Sequence, residues 1–218
     1  MDHYFTNNQN LKSDIKTLKY SYKNYEFNFL SDNGVFSKNH LDYGSRLLLE
    51  TFLSCTFESK SVLDLGCGYG LIGIVIAKVL STNVTLCDVN KRALHLAKRN
   101  LDENKVSCNI IESNIYENIK EKYDVIITNP PIKAGKKVVL DFLVNAKEHL
   151  NDEGMLWYVM RKDQGAKSIA KILEEYYEVK NIKKDKGFYI FCCKMYWQYL
   201  RKFAKIINCW RVYIYKII

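Results

Sequence analysis

Proline is nearly absent from this 218-residue sequence: there are two, and they stand side by side at Pro130 and Pro131. Proline-rich linkers and recognition tracts are thereby excluded, and a stiff turn is concentrated at one point of the chain. Cys-x-x-Cys pairs are also missing; the seven cysteines fall irregularly at 55, 67, 87, 108, 192, 193 and 209. That spacing fits neither a zinc site nor a disulfide framework, and reduced, packed thiols are expected. No uncharged apolar run reaches the roughly 18 to 20 residues of a bilayer-spanning helix, so no stable membrane insertion is expected. Met1-Asp2-His3-Tyr4 lacks the basic start of a secretion signal, and the expected location is cytoplasmic. Acidic residues are missing from positions 194 to 218, which hold six of the 33 basic residues. The +9 net charge is therefore +6 in the tail and +3 (27 − 24) in residues 1 to 193. A mildly basic body is compatible with RNA without requiring it, because local clusters govern phosphate binding.

With 48% apolar and 26% charged residues, the chain has the composition of one globular domain with a full core. Alternation of Tyr20, Tyr22, Tyr25, Phe27 and Phe29 around Lys23-Asn24 predicts a strand pair over 14–30. A helix is expected from Asn39, then a buried strand at 61–65. Helices over 71–80, 90–104, 136–150 and 164–177 alternate with strands over 84–88, 106–111, 123–128 and 154–160. Two last strands, 178–183 and 187–193, flank Asp185-Lys186-Gly187 and should form an antiparallel edge hairpin. The alternation predicts an α/β fold with a mainly parallel sheet, whose ligands bind beyond the carboxyl ends of the strands.

Four of those ends carry chemistry. Asp64-Leu65-Gly66-Cys67-Gly68-Tyr69-Gly70 closes the first buried strand and opens a helix, and Gly68-x-Gly70-x-x-Gly73 also fits a dinucleotide fingerprint. A carboxylate at Asp64 would repel a pyrophosphate but suits an ammonium and sulfonium, the charges of S-adenosylmethionine. Asp88, ending the next strand, can accept both ribose hydroxyls through its two oxygens. Asn114 follows the third strand, where its amide could meet an adenine edge. The competing account is that these polar residues cap helices or end strands. Asn129-Pro130-Pro131-Ile132 follows the apolar strand 123–128. There the Asn129 side-chain oxygen and a carbonyl of the proline turn can accept both hydrogens of a flat exocyclic or amide NH2, against an ordinary strand-ending turn as the alternative.

Together, the glycine loop at 64–70, Asp88 and Asn-Pro-Pro-Ile at 129–132 resemble a class I S-adenosylmethionine-dependent methyltransferase of the amino-methylating type. Within that group the chain resembles the small-domain, RsmC-like methyltransferases of guanine N2 in small-subunit (16S) ribosomal RNA. The resemblance runs from His3-Tyr4-Phe5 through Gly34-Val35-Phe36-Ser37, 42–48 and 113–118 to Lys184-Asp185-Lys186-Gly187-Phe188-Tyr189. It implies a Rossmann-like, seven-stranded, mostly parallel sheet in the order 3-2-1-4-5-7-6, the seventh strand antiparallel, with helices on both faces and the N-terminal hairpin added. It further implies that Asp64, Gly66, Gly68 and Gly70 hold the methionine part of the cofactor, Asp88 the ribose, and Asn114 the region of the adenine. Asn129, Pro130, Pro131 and Ile132 would hold the target amine, with Phe36 and Ser45 as further cofactor-binding candidates. The implied reaction is an in-line displacement by N2 on the sulfonium methyl, with no metal and no covalent enzyme intermediate. The four histidines do not cluster with these motifs, and none is given a role.

Two departures bear on substrate and partner. Relatives acting on adenine or on protein glutamine usually place an aromatic residue where Ile132 stands, which favours guanine. Longer relatives carry a second, degenerate domain for which this chain has no length. An RNA-orienting surface is therefore expected at the N-terminal hairpin or at Lys133, Lys136 and Lys137, unless those lysines are a solvated helix start. The partner expected is rRNA or the small ribosomal subunit. Competing functions are methylation of glutamine or adenine, a nicotinamide oxidoreductase, and a non-catalytic RNA-binding module. One methyltransferase domain is expected over 1–194, with a hairpin segment at 1–38 and a catalytic core at 39–194. Residues 195–218 read as a basic, aromatic tail, either an amphipathic helix or a non-native extension.

Overall fold

The computed structural model describes residues 12–55 and 59–196. The chain opens with a hairpin of β1 (Lys16–Tyr22) and β2 (Tyr25–Ser31), in which Tyr22 pairs with Tyr25 and Lys23 takes a left-handed φ of 50° in the turn. Helix α1 (Tyr43–Ser54) follows, then β3 (Ser61–Leu65), α2 (Leu71–Leu80), β4 (Asn83–Asp88), α3 (Lys91–Asn104), β5 (Asn109–Glu112) and β6 (Tyr123–Thr128). The second half holds α4 (Lys136–Val144), β7 (Leu150–Arg161), α5 (Ala166–Leu173), β8 (Tyr177–Asp185) and β9 (Phe188–Met195).

The seven later strands form one sheet in the order β5-β4-β3-β6-β7-β9-β8. Counting strands from β3 turns this into 3-2-1-4-5-7-6, and β9 runs antiparallel to both its neighbours while the other pairs are parallel. Side chains of the central strands alternate between two cores, as a period of two requires. Val62, Val125, Ile127, Trp157 and Val159 join α1, α2 and α3 on one face. Leu63, Leu65, Ile126, Leu156 and Tyr158 join α4 and α5 on the other.

Several boundaries differ from the sequence expectation: α1 begins at Tyr43 rather than Asn39, β5 is Asn109–Glu112 rather than 106–111, β7 is Leu150–Arg161 rather than 154–160, and β8 is Tyr177–Asp185 rather than 178–183. The helix expected over 136–150 ends at Val144 and relaxes into a 3-10 turn at Asn145–Glu148, because fully buried Leu150 is drawn into the sheet opposite Tyr123. The helix expected over 164–177 is cut at Gly165, which is left-handed at φ 86°, and ends at Leu173. Strand β9 runs one residue past the expected boundary at 194, pairing Met195 with Tyr177.

The N-terminal hairpin is fastened to α3 by two asparagines one turn apart. Asn100 Oδ1 accepts from Leu30 N at 2.7 Å while its Nδ2 donates to Leu30 O at 3.0 Å. Asn104 repeats the pattern with Asn28, at 3.1 and 2.8 Å. Each side-chain amide stands in for a neighbouring strand. Among the described residues no helix is long and apolar enough to cross a membrane, and the six described cysteines are free thiols. Cys209 and the expected helix of the tail lie outside the described residues.

Candidate active site

The strand order reverses between β3 and β6, and a cavity of about 290 Å³ opens there at the carboxyl ends of the strands. The turn after β3 forms one wall. Gly66 and Cys67 both donate to the Cys87 carbonyl, at 2.8 and 2.9 Å, which ties the loop to the end of β4. Gly68, at φ 56°, donates to Asp88 Oδ2 at 2.8 Å, and a Cβ there would meet nothing within 4 Å. Glycine at 68 thus supplies both the left-handed turn and an open wall against which a ligand can lie.

Two carboxylates face this wall. Asp64 is 1% exposed, and its Oδ2 accepts from Gly73 N at 2.8 Å. Burial pushes its pKa up to about 7, outweighing the Gly73 hydrogen bond, and the nearby charge of Asp88 adds to the rise. Asp88 is also raised by burial, although Gly68 and Asn90 donate to its two oxygens. Each of those oxygens keeps a lone pair for a further donor. Such a pair of desolvated acids opposes a diphosphate and stabilises a cation.

Asn129 lies across the cavity, held from helix α1. Its Nδ2 donates to Asp42 Oδ2 at 3.1 Å and to Ser45 Oγ at 2.9 Å. Asp42 is the N-cap of α1, and the same Oδ2 accepts from Ser45 N at 2.7 Å. A carboxylate can only accept, so it fixes which way the Asn129 amide points. Both amide hydrogens are engaged, and Asn129 Oδ1 has no donor among the described residues. In the turn that follows, the Pro131 carbonyl accepts from Ala134 N at 2.9 Å.

Of the residues singled out by sequence, Asp64, Gly66, Gly68, Asp88, Asn114, Phe36, Ser45, Asn129 and Pro131 line this one cavity. Gly70, Pro130, Ile132, Lys133, Lys136 and Lys137 do not. Gly70 instead caps α2, Pro130 is buried, and Ile132 packs on the core between α4 and the sheet. Lys137 pairs with Asp141 one turn on, at 2.9 Å, which is the solvated-helix arrangement. The Asn114 Nδ2 is turned to Glu117 Oε1 at 2.8 Å, leaving its carbonyl side for a ligand. Sequence reasoning missed Asp42, Cys67, Tyr69, Ser113 and Phe142, which also line the cavity. Asp42 fell within the 42–48 stretch that carries the resemblance, but a helix expected from Asn39 hid its place as the N-cap of α1. Among the described residues no group of three or more His, Cys, Asp or Glu side chains could hold a metal ion.

Comparison with known proteins adds to this geometry. The family model described as methyltransferase small domain matches residues 26–192. The uncharacterized protein YbxB of Bacillus subtilis (strain 168) is 40% identical over 198 residues, covering 88% of this chain and 98% of that protein. Ribosomal RNA small subunit methyltransferase C of Actinobacillus pleuropneumoniae serotype 7 (strain AP76) is 35% identical over 148 residues, 66% of this chain and 45% of that protein. The chain thus spans less than half of the length of that relative. Among solved structures, the T. thermophilus 16S rRNA N2 G1207 methyltransferase, in complex with AdoMet and guanosine, superposes with a TM-score of 0.75 at 22% identity. That match covers 85% of this chain and 52% of the other.

Proposed function

Because the chain belongs to the methyltransferase small-domain family, we propose that it transfers the methyl group of S-adenosylmethionine to the exocyclic N2 amine of a guanine in small-subunit (16S) ribosomal RNA. The observation that carries this reading is the oriented amide of Asn129, held by Asp42 and Ser45 on the cavity that contains Asp64 and Asp88. The residues fit the cofactor: buried Asp64 answers a cationic amino-acid end, and Asp88 retains the acceptor capacity for two ribose hydroxyls.

When bound, S-adenosylmethionine supplies a methyl group activated by its sulfonium. Asn129 Oδ1 accepts one hydrogen of the guanine NH2, and a carbonyl of the stiff proline turn accepts the other. These two contacts set the nitrogen lone pair on the line of attack, and orientation of this kind accounts for a large part of the rate. The methylated nitrogen is acidic and gives its proton to water. Ile132 lies partly buried against the α4 core and leaves no aromatic face at that position, which supports guanine over adenine or glutamine. The substrate partner is rRNA, free or within a small subunit, and the work site is the cytoplasm. The catalytic unit is residues 1–194, carried through Met195 by strand β9.

Radiolabelled S-adenosylmethionine offered with 16S rRNA, assembled small subunits, transfer RNA or protein extract tests the proposal. Label should appear in N2-methylguanosine from rRNA or subunits and vanish on Asn129→Ala. Label in glutamine or N6-methyladenosine would overturn the substrate, and absence of label in every mixture despite cofactor binding would overturn the catalytic reading.

A further inference from the structure

The tip of the β8–β9 hairpin folds back beside the site. Arg161, the last residue of β7, pairs with Phe188, the first of β9, so the tip stands at the carboxyl edge of the sheet where the cavity opens. The Phe188 ring packs on Tyr43 with centroids 5.5 Å apart, and it leaves so little room at Gly44 that a Cβ there would lie 2.9 Å from it. Tyr43 and Gly44 are the two residues between Asp42 and Ser45, which hold Asn129. The Tyr43 hydroxyl also donates to Asp185 in the hairpin tip.

Around these rings lies a basic corner. The Arg161 guanidinium sits 5.4 Å from the Phe188 centroid, Lys186 Nζ 5.0 Å from that of Tyr43, and Lys184 Nζ 5.3 Å from that of Tyr189. Residues 161–163 and 183–186 hold five cations and two acids, a net charge of +3. Arg161 pairs with Asp163 at 3.0 Å, whereas exposed Lys184 and Lys186 have no carboxylate within ion-pair distance among the described residues. Ring faces position these cations without neutralising them. Like charges gathered at one corner repel, and an anionic partner relieves that repulsion.

Resting on the RNA reading above, we propose that Arg161, Lys184 and Lys186 bind phosphates of the single-stranded RNA flanking the target guanosine. Helix α1 would then serve both ends of the substrate: its N-cap aims Asn129 at the base, and Tyr43, one residue on, anchors the hairpin that grips the backbone. Phosphate contacts of this kind set position and register without reading sequence. This surface is distinct from Lys133, Lys136 and Lys137, which follow the proline turn at the start of α4.

The test compares the wild-type protein with a variant carrying Arg161→Gln, Lys184→Gln and Lys186→Gln. A control carrying Lys98→Gln, Arg99→Gln and Lys105→Gln removes equal charge from α3 and its end. Binding of a 16S rRNA transcript and of purified small subunits is titrated over a range of KCl, and S-adenosylmethionine affinity is measured by calorimetry. The corner variant should bind RNA at least about tenfold more weakly, with the log–log salt slope shallower by about 2, as three lost single-strand phosphate contacts require. Its cofactor affinity should match wild type, and the control should keep both. An unchanged RNA affinity and slope, with wild-type methylation of RNA intact, would overturn the docking corner and leave the function standing. A lower cofactor affinity in the corner variant would mark a structural role and also overturn it. Wild-type protein that binds no RNA would overturn both proposals, while salt-dependent RNA binding lost in the corner variant, with methyl label found only in protein, would overturn the function alone.

Discussion

The side chain of Asn129 donates to the carboxylate of Asp42 across 87 positions of sequence, and that carboxylate is also the N-cap of α1. One acid therefore sets both the start of a helix and the aim of an amide. Replacing Asp42 with Ala removes both functions at once. Stability should fall by about 1 kcal/mol, typical of a lost cap. The kcat should fall by about a hundredfold through misplacement of Asn129. Asp42→Asn, which retains a capping oxygen, should recover the stability and part of the rate. Urea unfolding and single-turnover methylation measure the two effects, and a rate equal to wild type in Asp42→Ala would remove Asp42 from the positioning of Asn129.

Cofactor affinity should depend on pH through Asp64, raised to about 7 in the free protein. A bound cation favours the carboxylate, so binding expels a proton wherever Asp64 is protonated beforehand. Affinity is then full above pH 7 and weakens as pH falls, approaching tenfold per unit well below that pKa. The same linkage makes the free fold bind an extra proton between the ordinary carboxylate range and pH 7, so its stability declines as pH rises through that window. Calorimetry from pH 5.5 to 8 should show this curve in wild type and a flat, weaker one in Asp64→Asn.

Gly73 packs where no side chain fits. An added Cβ would overlap Leu86 Cδ2, which is fully buried, and lie 3.1 Å from Asp64 Oδ2. Gly73→Ala should cost about 1 to 3 kcal/mol of stability by overpacking and weaken cofactor binding by displacing Asp64. A thermal melt matching that of wild type would contradict the tight packing at this point.

Asn100 is fully buried and makes three hydrogen bonds to backbone, two with Leu30 and one to the Tyr69 carbonyl at 2.8 Å. Asn100→Ala strands those groups, and a loss of about 2 to 3 kcal/mol is expected. Protease sensitivity should rise first in the N-terminal hairpin, and uniform protection would show that its apolar face alone holds it down.

The cavity is lined entirely by residues from Phe36 to Phe142 among those described. Removing residues 197–218 should leave cofactor affinity and melting temperature unchanged. A large drop in affinity for the shortened protein would extend the catalytic unit into the tail.

The extent to which this protein can be read from its sequence follows the range of the interactions. The bounds of β3, α2 and β6 agree with the hydrophobic pattern residue for residue, because burial on one face or two is written in local periodicity. The glycine loop, Asp64, Asp88 and the proline turn were equally legible, since each is a local conformation with a characteristic composition. Strand order is not periodic and entered through family resemblance. The breaks at Val144 and Gly165 were missed because burial of Leu150 and a left-handed glycine overrode helical spacing.

Sequence alone determined which elements form and which chemical groups stand at their ends. Tertiary structure decided which of those groups meet: Asn129 with Asp42 and Ser45, Asn100 with Leu30, and Phe188 with Tyr43 beside a basic corner. Contacts between side chains from distant elements leave no spacing in the chain, and only folding brings such partners within hydrogen-bonding distance.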